Sequence, residues 1–191
     1  MADTKYVVLA RFDDITDQKI ANLQANLRHE GYIKAIPDWP PHMTIAAYES
    51  ASIDEILHWT DDFSSKHPVF EIMLHSLGIL PPGGEHTETA VLFASPAQTR
   101  KLIEFYYAFH ERLDEHCGDL GWFYSAKFGH PVMHSTIGIF EIRQMQKALE
   151  MILAQPLFGM AKIVALEVYT YPMELIRRYA LYPNNAVIKR C

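Results

Sequence analysis

The chain has 191 residues, 49% hydrophobic and 21% charged, with a formal net charge of -6. That is an ordinary folded composition, long enough for one substantial domain or two small lobes that share a core. The acidic balance, with no run of lysine or arginine, excludes gripping long nucleic acid through nonspecific phosphate contacts. A small anionic ligand in a local pocket stays compatible with it.

The elements read in order. "KYVVLARF" (5–12) is rich in β-branched and apolar residues and predicts a buried strand. Thr16 is the expected N-cap of a helix that carries Ile20, Leu23 and Leu27 at helical spacing and ends near Gly31. "HMTIAAYE" (42–49) predicts the next strand. A helix with Ile53, Ile56, Leu57 and Phe63 follows, which Pro68 stops from continuing. Strands are expected over 69–80 and 89–96, separated by the turn residues "PPGG".

From residue 97 the order starts again. Leu102, Ile103, Tyr106, Phe109, Leu113 and Cys117 form one helical stripe, read as core. The irregular stretch "GWFYSAKFGHPV" leads into the strand "MHSTIGIFE". A short helix ends near Pro156, and two closing strands turn around Pro172–Met173. The halves thus share strand, helix, histidine-bearing strand, helix and strand, a repeat of pattern with weak residue identity. No Gly/Ser linker divides them, so residues 1–191 are expected to form a single two-lobed domain.

The two cysteines, Cys117 and Cys191, make neither a disulfide framework nor a zinc-ligand pair. The N-terminus lacks the pattern of a signal peptide and no apolar run reaches membrane-span length. A cytoplasmic protein with no membrane partner, and a monomer, is the expectation.

The chemistry lies in the repeated strand. "HMTIAAYE" and "HSTIGIFE" share His-x-Thr-Ile-x-x-aromatic-Glu, matching His42 and Thr44 with His134 and Thr136. Residues at i and i+2 of a strand project to one face, so each strand offers an imidazole and a hydroxyl to the same surface. With ten histidines, about half a chance His-x-Thr is expected, so one copy alone is weak evidence. The third copy, His58 and Thr60, falls in a predicted helix where i and i+2 point roughly 200° apart. It serves as the control. Two copies on strands, at equivalent places in the repeat, are a strong signal. Tyr48 and Phe140, six residues past each histidine, share its side of the strand if the strands stay regular, and are expected to pack inside the lobes.

These motifs resemble those of the 2H phosphoesterase superfamily, which includes the LigT-like proteins called 2′-5′ RNA ligases. The resemblance follows the order of elements over nearly the whole chain, with specific identity confined to 42–49 and 134–141. It implies an α+β, duplicated two-lobed fold in which two mostly antiparallel sheets form a central cleft, with helices on the outside. It also implies that His42, Thr44, His134 and Thr136 are the active-site set, and that the substrate is a 2′,3′-cyclic phosphate or related cyclic phosphodiester opened without a metal. Some members join or cleave 2′-5′ RNA linkages, so ligation at RNA ends is the alternative within the family.

The residue types suit that chemistry independently. Histidine's usual pKa near 6.5 lets one imidazole accept a proton while another donates one near neutral pH. Two of them on opposite walls of a cleft suit in-line attack and departure. The threonine hydroxyls can donate to non-bridging phosphate oxygens. No carboxylate cluster or Cys/His set calls for a metal, so no cofactor is expected.

Around the motifs, Trp39 either stacks a nucleobase or lids the core edge. Tyr124, Phe128 and His130 sit in the irregular stretch, as base-stacking residues or loop anchors. Lys127 and Arg11 offer positive charge to a phosphate or to solvent. The expected ligand is a small nucleotide or an RNA terminus bearing a cyclic phosphate. A module that binds such an end without turnover, and a metalloprotein using some of the histidines, are the competing readings.

Overall fold

The computed structural model describes residues 4–33, 39–82, 87–129 and 131–183. Strand β1 (Tyr6–Phe12) pairs antiparallel with β2 (His42–Tyr48), and α1 (Asp14–His29) connects them. Helix α2 (Ile53–Lys66) leads to β3 (Phe70–Leu80), which pairs antiparallel with β4 (Thr89–Pro96). After α3 (Arg100–Phe109) come short turns, including α4 (Gly118–Gly121). Then β5 (Ser135–Glu141) pairs with β4, and α5 (Met145–Leu153) leads to the closing pair β6 (Gly159–Thr170) and β7 (Glu174–Ala180). The fold is mixed, with an open antiparallel sheet and helices, as expected.

In one respect the architecture differs from two separate sheets. The hydrogen-bonded path runs β2-β1-β6-β3-β4-β5, with β7 also on β6, so both halves are ladders of one sheet. The long strand β6 makes the join: Ile163 pairs with Phe12 on one edge and with Phe70 on the other. Twelve residues are enough for β3 and β7 to succeed one another along it.

Apolar side chains explain where the helices lie. Ile20, Leu23 and Leu27 of α1, Ile56 and Phe63 of α2, Leu102, Phe105 and Phe109 of α3, and Ile152 of α5 join one core with strand residues such as Val8, Ile45, Ile137 and Phe140. Those of α1 and α3 repeat at three- or four-residue spacing and those of α2 stand seven apart, so each of these helices turns one stripe inward. The opposite face of the first half buries a smaller cluster of Val7, Leu9, Ala47 and Tyr169 under Leu120, Tyr124 and Met173. That packing brings the segment after α3 onto the sheet. Gly121 permits it, because a Cβ there would lie 2.0 Å from the Ala47 carbonyl oxygen.

Two local expectations are corrected. The N-cap of α1 is Asp13, whose carboxylate accepts from the Thr16 amide, so the helix begins two residues before Thr16. The stripe running to Cys117 is not one helix: α3 ends at Phe109, and Leu113 is left-handed with φ 63°. The His110 Nδ1 bonds to Asp114 at 2.8 Å, and the other Asp114 oxygen accepts from Ser125 Oγ and the Lys127 amide. The chain folds back around that buried carboxylate instead of continuing as helix. Among the described residues no helix is long and apolar enough to cross a membrane.

Candidate active site

Each His-x-Thr strand carries the same irregularity. The β1–β2 register slips between Val8 and Leu9, which pair with Ala46 and Thr44, leaving Ile45 as the extra residue. The β4–β5 register slips between Leu92 and Phe93, which pair with Gly138 and Thr136, leaving Ile137 extra. Both bulges thus follow the motif threonine immediately. A bulge advances the alternation by one residue. His and Thr therefore face one side while Tyr48 and Phe140 face the helix-covered core, where both are buried. The expectation that the aromatics share the histidine's side fails for this reason, although they do pack inside.

His42 and His134 open onto one cleft of about 270 Å³, lined also by Gln24, Arg28, Trp39, Tyr124 and Thr136. Leu80, Val91 and Ile139 form an apolar wall on the β3–β4–β5 side. The two imidazoles are held alike: His42 Nδ1 lies 2.6 Å from the Pro40 carbonyl oxygen, and His134 Nδ1 lies 2.6 Å from that of Val132. A carbonyl only accepts, so Nδ1 carries hydrogen in both rings and Nε2 is left for the cleft. Both rings are 8% exposed. Burial, which disfavours the charged ring, pushes His42 down to about 4 against the opposing Pro40 hydrogen bond, and the Arg11 charge adds to the fall. Burial also lowers His134 below its usual 6.5.

The neighbours are arranged around this pair. The Trp39 ring lies 5.9 Å from that of His42, and the Phe93 and Phe123 rings lie 5.0 and 6.1 Å from that of His134. The Thr44 side chain interacts with the Tyr124 hydroxyl, whose pKa burial raises and Thr44 lowers. Tyr124 itself is positioned through its carbonyl, which accepts from Tyr106 Oη, and by the Ser125–Asp114 bond beside it. Gln24 Nε2 donates to the Thr136 carbonyl at 3.1 Å, so α1 of the first half braces the motif strand of the second.

The other residues singled out from sequence are placed elsewhere. Lys127 is exposed and lies over the Phe128 ring at 4.9 Å, and neither side chain lines the cleft. Arg11 does not line it either; its guanidinium bonds to Glu167 and to Asp17, each at 2.7 Å. His130 lies outside the described residues. Conversely, Gln24, Arg28, Leu80, Val91 and Ile139 escaped the sequence reading. Gln24 and Arg28 stand one turn apart on α1, but spacing alone says nothing of which strand a helix crosses.

Among the described residues no three His, Cys, Asp or Glu side chains converge as a metal site. Two imidazoles that face one cleft, with hydroxyls beside them, can accept and donate protons at a bound anion.

Comparison with solved structures shows the same fold. TT0787 of Thermus thermophilus matches with TM-score 0.58 and 11% identity over 94% of this chain and 99% of that one. Escherichia coli LigT complexed with 3′-AMP matches with TM-score 0.56 and 12% identity over 94% and 98%. Kluyveromyces marxianus Usb1 with uridine monophosphate matches with TM-score 0.52 and 10% identity over 94% and 99%. No curated protein matches the chain in sequence. The model of the 2′-5′ RNA ligase superfamily matches residues 13–171, which take in both His-x-Thr strands and the cleft between them. The chain belongs to the 2′-5′ RNA ligase superfamily, the 2H phosphoesterases.

Proposed function

We propose that the protein is a metal-independent phosphodiesterase that opens a 2′,3′-cyclic phosphate on a nucleotide or a short RNA end. The observation that carries this reading is the matched pair of imidazoles, each tied at Nδ1 to a carbonyl two residues upstream and each turning Nε2 to the same cleft. In its neutral form such a ring has a lone pair at Nε2 and takes a proton. In its charged form the same nitrogen gives one. The hydrolysis balances with these two groups alone. One imidazole takes a proton from water as its oxygen bonds to phosphorus, and the other protonates the ribose oxygen as its bond to phosphorus breaks. The product is a nucleoside monophosphate. Thr136, which lines the cleft, supplies a hydroxyl donor for a non-bridging oxygen, and Thr44, on the same side of its strand as His42, supplies a second.

The size of the cleft supports a nucleotide over a long strand, as does the net charge of -6. Complexes of LigT with 3′-AMP and of Usb1 with uridine monophosphate support nucleotide ligands for this fold. The apolar wall of Leu80, Val91 and Ile139 and the rings of Trp39 and Tyr124 are where a base would lie.

The test is hydrolysis of a panel of 2′,3′-cyclic nucleotides in excess EDTA, beside His42→Ala and His134→Ala. Turnover should survive the chelator and fall by roughly 10² or more in either variant, the scale of general acid–base loss. Variants as active as the parent would overturn the site. Tight nucleotide binding with no product would replace the enzyme with a binding module, and loss of all activity in EDTA would point to a metal.

A further inference from the structure

We infer that Arg11 gives the two histidines different roles, keeping His42 the proton acceptor and leaving His134 the proton donor. The inference rests on the two-histidine mechanism above and names which group does what within it.

The strand registers set different residues opposite the two histidines. His42 pairs across the β1–β2 ladder with Arg11, and Thr44 with Leu9. In the other half Thr136 pairs with Phe93 and Ser135 with Ala94, so continuing that register sets Ser95 opposite His134. The two strands are matched through the bulge, the motif and the carbonyl bond, yet one has a guanidinium where the other has a hydroxyl. Ser95 is occupied locally, donating to the Met133 carbonyl at 3.2 Å.

Arg11 is fixed in place. Its side chain is 11% exposed, with Glu167 on Nη1 and Asp17 on Nη2. Glu167 also accepts from Tyr169 Oη at 2.6 Å and from Arg178 Nη1 at 2.7 Å, so each buried charge of the web has an opposite partner. The charged groups that bear on His42 are Arg11 from β1, Glu167 from β6 and His134 from β5, with Arg28 of α1 on the same cleft. Of the first two, the nearer cation outweighs the carboxylate, so the web as a whole disfavours an imidazolium at position 42. The rings of Phe93 and Phe123 lie near His134, and burial lowers it against its bond to the Val132 carbonyl, with no guanidinium opposite it on its ladder. With a guanidinium across the ladder from His42 and a hydroxyl across from His134, a single proton shared between the rings is favoured on His134. In hydrolysis His42 Nε2 accepts from water and His134 Nε2 donates to the departing oxygen.

The experiment is an NMR titration of the two imidazole Cε1–H signals in the intact protein, with Arg11→Gln, Arg11→Lys and Glu167→Gln beside it. In the parent, His42 should titrate below His134. Arg11→Gln should raise His42 by roughly one pH unit without moving His134, the scale of one neighbouring charge. Glu167 keeps Tyr169 and Arg178 as partners in that variant, and the unchanged His134 signal reports that the fold is retained. Arg11→Lys should restore most of the gap, and Glu167→Gln should move His42 the opposite way. The acidic limb of kcat/KM should follow His42 in each variant. On a 4-nitrophenyl phosphodiester, whose leaving group needs no proton, His134→Ala should recover at least tenfold relative to its loss on a cyclic nucleotide, and His42→Ala should not.

His134 titrating below His42, an unmoved His42 in Arg11→Gln, or recovery by His42→Ala instead would each overturn the assignment. A protein that turns over no phosphodiester would count against the proposed function, while the NMR arm would still decide whether Arg11 sets the proton's place.

Discussion

His42 stands across its ladder from Arg11, which is tied into a web with Asp17, Glu167 and Arg178, whereas His134 lies near the rings of Phe93 and Phe123. Their own strands are near copies, with the same bulge, the same carbonyl bond and the same low exposure. Geometry common to both supplies two equivalent nitrogens facing one cleft. The surroundings then make them unequal, because the energy of a charged ring depends on nearby charges and lost hydration, not on the motif that bears it. Leu80, Val91 and Ile139 form the apolar wall of the cleft on the side of the sheet that carries His134.

Three measurements test how far the two halves differ. The largest effect is expected at the aromatic position that both halves bury. Phe140→Ala should cost about 3–5 kcal/mol in urea unfolding, the usual penalty for emptying a core aromatic site. Its side chain is fully buried beside the bridge to Ile33, at the join between the two halves. A cost under about 1 kcal/mol would mean that the bulge does not hold this ring in the core.

Next is the acid dependence of stability. A histidine lowered to about 4 in the folded chain, against 6.5 when unfolded, binds its proton more readily unfolded. Stability from this group is therefore complete above 6.5, falls as pH drops from there to about 4, and changes no further below. The loss should be about 3 kcal/mol over that window. His42→Gln should remove that part of the slope, leaving the shares of His134, which is lowered in the same sense, and of carboxylates such as Glu167 that its donors hold below the usual range. An unchanged slope would deny the burial of His42.

The smallest effect has the opposite sign. The two motifs differ at their aromatic position by one hydroxyl, and Tyr48 Oη is buried with no partner among the described residues. Tyr48→Phe makes the first motif like the second and should stabilise by up to roughly 1 kcal/mol, since an unsatisfied buried hydroxyl is removed. A loss of stability would reveal a partner for that oxygen and a real difference between the lobes.

Much of the element order was legible because hydrophobic alternation and helical stripes are local properties. Strand 89–96 and the turn at 172–173 fall where composition places them. His58 and Thr60 do lie on a helix, and Thr60 Oγ1 spends its hydrogen on the Ile56 carbonyl. The stripe through Leu113 and Cys117 misled because a side-chain carboxylate, Asp114, gathers donors from both directions and bends the chain. Periodicity carries no sign of that.

By itself the sequence determined that two strands present His and Thr together, since projection at i and i+2 needs no knowledge of the rest of the molecule. Tertiary structure alone decided what those side chains meet. It set the bulges that turn Tyr48 and Phe140 to the core, the shared strand β6 that merges both halves into one sheet, and the reach of Gln24 and Arg28 into the cleft. It also turned Arg11 from a surface cation into a buried one, by pairing it with a carboxylate 156 residues away. An ion pair of that kind depends on which strands become neighbours, and a local pattern of residues holds no record of distant neighbours.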